Sequence, residues 1–232
     1  MSKQIVDLHI HSHNSMYIGE KQVPKTIFSG DKYLSTLKEN NVRAFSFTDH
    51  DTFSDTFYFE LQDLISKIDD YKISIFPGVE FRIKSKNRIK GADCNFVFDN
   101  QLSKERIQEL SRLVSKLQSR KHGADIKTLV KHFSNANYVF FIIPDVGKSG
   151  SCSYEDFQDV IEYVKYVECD KNNSNRLSNL IKQGLDIDYK QVFFSDCHNI
   201  NNYHLKPSKT LINVNENKII DFEDLKNLLF IE

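Results

Sequence analysis

The stretch Asp7-Leu8-His9-Ile10-His11-Ser12-His13 decides how the rest of the chain is read. On an extended strand His9 and His11 project to one face, Leu8 and Ile10 to the other. Two imidazoles on one face at a strand end can share a metal ion, and strand ends are where a β/α barrel collects its functional groups. Alone, the pattern is better described as two polar residues on a half-buried strand. Three further segments add weight. Phe47-Thr48-Asp49-His50-Asp51 ends an apolar run with a histidine flanked by two carboxylates, one of which can orient the ring; alternatively Asp51 and Ser54 cap the next helix. Phe76-Pro77-Gly78-Val79-Glu80 places a carboxylate just beyond a β run, where it could bridge two cations. Phe193-Phe194-Ser195-Asp196-Cys197-His198-Asn199 adds a carboxylate and an imidazole after a late strand. Four such pieces at the ends of successive strands are much less easily accidental than one.

The intervening sequence alternates between two periods. Apolar runs at 5–10, 43–48, 73–81, 95–98, 138–143, 166–168 and 191–195 read as strands. Ile107, Leu110, Leu113, Val114 and Leu117 recur at helical spacing across 104–117. Ser153, with Asp156 three residues on, opens a further helix carrying Phe157, Val160, Ile161 and Val164. Residues 125–133 and 177–184 read as shorter helices, and the asparagine-rich patches at 172–175 and 199–202 as loops. Strand–helix alternation predicts an α/β fold of parallel strands covered by helices, closed or open, in one domain over residues 1–232.

Composition narrows the class. With Lys+Arg 31 against Asp+Glu 32 the formal charge is −1, so no overall cationic field points to nucleic acid or a membrane. Hydrophobic content of 40% against 27% charged residues is that of a chain with a packed core. The 18 phenylalanines are expected to fill it. Cys94, Cys152, Cys169 and Cys197 stand apart with no CxxC pair, and the N-terminus reaches Asp7 without a signal-peptide apolar core. The longest apolar run, 138–143, is too short for a membrane span. A cytoplasmic, reducing setting without membrane association is the expectation.

In order and spacing, HxH after the first strand, TDHD after the second, G-x-E after the third and SDxH near the end resemble the PHP (polymerase and histidinol phosphatase) superfamily, from Asp7 to about Thr210. The resemblance implies a distorted TIM-like (β/α)7 barrel carrying a two- or three-metal site that hydrolyses phosphate esters with zinc, manganese or iron. By position, His9, His11, Glu80 and Asp196 look like ligands of one metal, and His50 and His198 of a further one. The nucleophile would be a metal-activated water. Asp49 and Asp51 would orient ligands or accept a proton. The sequence also departs from the family. Met16 and Tyr17 follow Ser15 where the family reads S-D-G; Ile143-Pro144 stands where a His-Pro is common; and Asp93, Cys94 or Asn95 stands where a histidine usually follows the glutamate. His13 or Asp93 is the candidate substitute ligand. Cys197 should point away from the site.

Arg82, Lys84, Lys86, Arg88 and Lys90 occupy every even position just after Glu80. If extended, or turned near Lys86-Asn87, they share a face by the metal mouth and could track the phosphates of a nucleotide or nucleic acid; the same pattern also fits a charged edge strand that discourages aggregation. Lys116, Arg120, Lys121, Lys127 and Lys131 read as solvated helix faces. A phosphoesterase acting on a nucleotide or nucleic acid is the first reading. The second is a degenerate domain that binds or regulates; the family's frequent placement beside polymerase or ATPase modules would then supply an ATPase or nucleic-acid-processing partner. An amidohydrolase-type barrel shares the opening HxH but lacks the G-x-E and late SDxH pieces.

Overall fold

A computed structural model describes residues 2–15, 27–117, 123–146, 151–169, 184 and 190–230. Strand β1 (Ser2–Ile10) sits centrally, parallel to β2 (Val42–Phe47), which in turn runs parallel to β3 (Ser74–Ile83). Helices α1 (Gly30–Glu39) and α2 (Asp55–Ser66) make these crossovers. Ser54 caps α2 by accepting the Phe57 N–H at 3.2 Å. The capping role therefore falls to Ser54 and not to Asp51.

Beyond β3 the expected parallel order breaks. β4 (Ala92–Phe98) pairs antiparallel with β3, and β5 (Phe140–Pro144) antiparallel with β4. The reason lies in the connections. Residues 84–91 are too few for the dozen or so that a parallel crossover needs. β4 and β5 are then joined by two helices, α3 (Lys104–Leu117) and α4 (Ile126–Asn135), and an even number of helices returns the chain to the end it left. β8 (Thr210–Val214) and β9 (Leu228–Phe230), which the sequence reading did not pick out, extend the sheet on the other side of β1 in antiparallel fashion.

The sheet order β5-β4-β3-β2-β1-β8-β9 curls towards a parallel pair formed by β6 (Tyr166–Glu168) and β7 (Lys190–Val192). Val146 N–H to Glu168 O (2.9 Å) joins β5 to β6, and His11 N–H to Cys197 O (3.0 Å) ties the end of β1 to the segment after β7. The result is a distorted TIM-like barrel.

Its core has two compartments. Leu8, Ala44, Phe76, Val97, Phe141, Tyr166 and Phe194 fill the inside, while Phe45, Phe81, Phe96, Leu110 and Phe133 lie between the sheet and its helices. Phenylalanine fills both, as expected. Phe133 of α4 packs against the rings of Phe98 at 4.9 Å, Phe96 at 5.7 Å, Phe140 at 5.8 Å and Phe81 at 6.0 Å between centroids. These are ordinary separations for edge-to-face and offset aromatic pairs.

The helix signals hold where caps support them. Asp125 accepts the Lys127 and Thr128 N–H groups at the start of α4. At Ser153 the capping box forms, but α5 (Tyr154–Phe157) gives way to a 3-10 turn (Gln158–Tyr163) whose Val160 leaves helical geometry at φ −131°. The helix expected to run on to Val164 is therefore a single turn, in keeping with the β-branched Val160 and Ile161. Asn199 caps a 3-10 turn (Ile200–Leu205) instead of lying in an irregular loop. The patch at 172–175 and the helix expected at 177–184 fall outside the described residues, apart from Gly184, as do Met16, Tyr17, Arg120 and Lys121. Lys116, Lys127 and Lys131 are exposed as expected. No helix among the described residues is long and apolar enough to cross a membrane.

Candidate metal centre

Alternation along each strand sets which side chains reach the barrel mouth. In β3 the inward series Phe76, Gly78 continues to Glu80; across the register Glu80 faces Asn95, which shares the inward side of β4 with Val97. The same step of two leads from Ala44 towards His50, from Tyr166 to Glu168, and from Phe194 to Asp196. The polar layer at the mouth is thus the top course of the barrel filling. β1 breaks the alternation: its register with β2 shifts between Asp7 and Ile10, which re-aims His9 inward. Gly78 is required by crowding, since a Cβ there would stand 2.1 Å from Ser46 Oγ and 2.9 Å from Thr48 Cγ2.

All six residues expected as ligands meet in this layer. His9 Nε2 lies 3.2 Å from His11 Nε2, 3.3 Å from Asp196 Oδ1 and 3.4 Å from Glu80 Oε1. His11 Nε2 stands 3.3 Å from Asp196 Oδ1 and 3.5 Å from Glu80 Oε2. Donors placed tetrahedrally about an ion at roughly 2.0–2.1 Å would be spaced about 3.3–3.4 Å apart, so the separations among His9, His11 and Asp196 suit a shared cation, with Glu80 against both histidines. His50 Nδ1 reaches Glu80 Oε2 at 2.7 Å, and His198 Nε2 reaches Asp196 Oδ1 at 3.1 Å. His11, His50 and His198 form a second group whose rings stack at centroid distances of 4.0, 4.4 and 5.6 Å. Two buried imidazoles and a half-buried third gathered among carboxylates form a costly assembly by themselves and a favourable one around a cation.

The charges follow the geometry. Burial works against the imidazolium of His9, but Glu168, Glu80 and Asp196 outweigh it and hold its pKa well above the usual value. His11 is driven the other way, by burial and by its neighbours His198 and His50. Burial would raise Glu80, yet His50 and His9 keep it well below the carboxylate range.

Asp49 and Asp51, the expected orienting or proton-accepting groups, are both buried, and burial pushes each to about 6. Asp49 accepts the Ser12 N–H at 2.5 Å and Oγ–H at 2.6 Å, which pins the loop following His11. Asp51 adopts φ 50° and donates its N–H to Glu80 O at 2.8 Å. Of the candidate substitute ligands, His13 packs against Phe57 (4.9 Å), and Asp93 holds Arg82 in a two-point ion pair at 2.9 and 3.0 Å. Ile143 is fully buried in the barrel interior. Cys197 is buried, its thiol pushed up to about 12, in keeping with an inert role.

The basic strip does not keep its alternation. Only Arg82 lies in β3, and it is committed to Asp93; Lys84, Lys86, Arg88 and Lys90 sit exposed on the irregular connection 84–91. Asp156 fixes that shape by accepting the Lys86 N–H (2.7 Å) and the Ser85 hydroxyl (3.0 Å). β3 runs past Glu80 into this connection, so the cations stand at the same end of the barrel as the polar layer at the mouth.

Glu168, absent from the sequence-based site, touches it directly: its Oε2 lies 2.7 Å from His9 Nδ1. The available signal was a carboxylate closing the short run Tyr166–Glu168, in step with the inward-facing Tyr166.

A family profile of the PHP domain matches residues 7–183, most of the chain and all of the mouth layer up to Glu168. This chain belongs to the PHP domain family. Among solved structures the PHP chain is similar to PsfC from Pseudomonas syringae (TM-score 0.60, 14% identity, covering 100% of this chain and 93% of that one). It is also similar to a proposed metal-dependent phosphoesterase from Bifidobacterium adolescentis (TM-score 0.51, 12% identity, 96% and 94% covered). At such identities the likeness establishes the shared barrel. No curated protein matches the PHP chain in sequence.

Proposed function

We propose that this PHP domain is a metal-dependent phosphoesterase that hydrolyses a nucleotide or nucleic-acid phosphate ester. The observation that carries the proposal is the convergence of His9, His11 and Asp196 at ligand spacing, with Glu80 against both histidines, in a largely buried polar layer. These four would hold one divalent ion, and His50 and His198 a further one, with zinc, manganese or iron all compatible with a nitrogen–oxygen donor set. Such an ion supplies an acidified water as nucleophile and neutralises phosphoryl oxygens. Glu80 touches both groups, since its carboxylate lies against His9, His11 and His50. Asp49 orients the His11–Ser12 turn. Asp51, with its carboxyl poised near 6, is the proposed proton acceptor. Lys84, Lys86 and Arg88 offer exposed cations at the mouth for a polyanionic substrate, while Arg82 acts through Asp93 to shape the connection.

The test is metal content by mass spectrometry on untagged, chelator-free protein, followed by hydrolysis of phosphomonoesters and single-stranded oligonucleotides. Retained metal, metal-dependent hydrolysis, and loss of both in a folded His9→Ala/His11→Ala double variant are expected. A folded chain that takes up no zinc, manganese or iron would overturn the proposal. Ile143 at one family ligand position, and Asp93, Cys94 or Asn95 at another, favour a second reading, a binding module with a reduced metal set. Metal retained without hydrolysis of any phosphate ester would support that one.

A further inference from the structure

Glu168 lies on the far side of His9 from the converging donors. The His9 ring presents Nε2 to His11, Glu80 and Asp196, and Nδ1 to Glu168 Oε2 at 2.7 Å. His9, Glu168 and Asn95 are all buried, at 1%, 3% and 0% exposure. A carboxylate offers only acceptors, so the hydrogen between them belongs to Nδ1. In the neutral ring this leaves the lone pair on Nε2, the atom facing the donor set. The Asn95 amide nitrogen lies 3.2 Å from the same Glu168 oxygen, to which it donates, and 3.0 Å from His9 Nδ1, so from β4 it packs against both partners. The backbone of Glu168 is held on both sides, through Val146 N–H to its carbonyl and through its pairing with Val192.

We propose that Glu168 is a positioning residue of the metal centre: it fixes the His9 tautomer and ring orientation so that Nε2 is the ligating atom, and Asn95 holds Glu168 in place. The proposal rests on the metal-centre reading above. Glu168 faces the nitrogen opposite the ligating one, so it acts through His9 and is not itself a ligand. Carboxylates that accept the far N–H of a ligating histidine raise its basicity, and losing one typically weakens metal affinity about 10–100-fold.

Zn2+ affinity of the full chain, measured by competition with a chelator of known strength, provides the test, together with the 15N imidazole spectrum of the metal-loaded protein. Glu168→Ala should weaken Zn2+ binding by about 10–100-fold, and Glu168→Gln, which keeps an acceptor oxygen for Nδ1–H, by less than about tenfold. The His9 spectrum of the parent should show Nδ1 protonated with its proton shifted downfield by a strong hydrogen bond, and Glu168→Ala should lose that downfield shift. Val130→Ala, a core truncation on α4, should lower stability and leave Zn2+ affinity unchanged, which separates positioning from general destabilisation. Should Glu168→Ala not fold, Asn95→Ala decides: weaker binding supports the role and unchanged binding overturns it. Parent protein that binds Zn2+ while Glu168→Ala binds within about twofold of it overturns the positioning role alone. A folded parent that binds no Zn2+ overturns the metal-centre reading and the positioning role together.

Discussion

Gly78 offers a sharp test of how the barrel carries its site. A Cβ there would meet Ser46 Oγ at 2.1 Å, Thr48 Cγ2 at 2.9 Å and Phe96 O at 3.3 Å. The first two belong to β2 and its end, so the methyl of Gly78→Ala would wedge β3 away from β2. Overpacking of this kind costs about 1–3 kcal/mol, and the two closest contacts place this one at about 2–3 kcal/mol. For a chain of this size that lowers Tm by roughly 4–10 °C. The assay is thermal unfolding by circular dichroism, with the double-mutant cycle Gly78→Ala, Ser46→Ala. Ser46→Ala removes the 2.1 Å contact and keeps the one with Thr48, so it should restore about half of the loss. Metal affinity should fall as well, because Glu80 lies two residues further along the displaced strand. Stability of Gly78→Ala within about 2 °C of the parent, or no rescue by Ser46→Ala, would refute the claim that interior crowding demands glycine.

Two further predictions follow from the charges. Replacing Lys84, Lys86 and Arg88 with alanine should weaken single-stranded nucleic-acid binding and lower the magnitude of its log–log salt slope by about 2, at roughly 0.7 per cation; an unchanged slope would remove the connection 84–91 from the binding surface. The second concerns pH. Burial disfavours the His50 imidazolium, but Glu80 at 2.7 Å prevails and raises its pKa from 6.5 to about 9 in the folded chain. A raised histidine stabilises fully below its unfolded value, and that stability is lost as pH rises through the folded one. Metal-free protein should therefore lose up to about 3 kcal/mol between pH 6.5 and 9. A flat denaturation midpoint across that window in chelator would refute the His50–Glu80 pair.

The residues of the centre were legible because their signal is local. HxH at the end of a strand, TDHD, G-x-E and SDxH each combine a residue type with a position relative to an apolar run, and the structure gathers all six of their expected ligands. α3 was equally plain, since Ile107, Leu110 and Val114 repeat with the helical period and are buried. The failures share a different cause. The antiparallel turn into β4 and β5 depends on the length and number of connecting elements, and the basic strip lost its alternation to a clamp from Asp156, 70 residues away. Glu168 meets His9 across 159 residues, and no periodicity encodes that encounter. By itself the sequence determined which side chains are candidates for metal chemistry and which strand end each occupies, because side-chain period and residue type are properties of a few neighbouring residues. Only the tertiary structure decided which of those ends face one another, and so which carboxylate sits behind His9, because that follows from how the barrel closes.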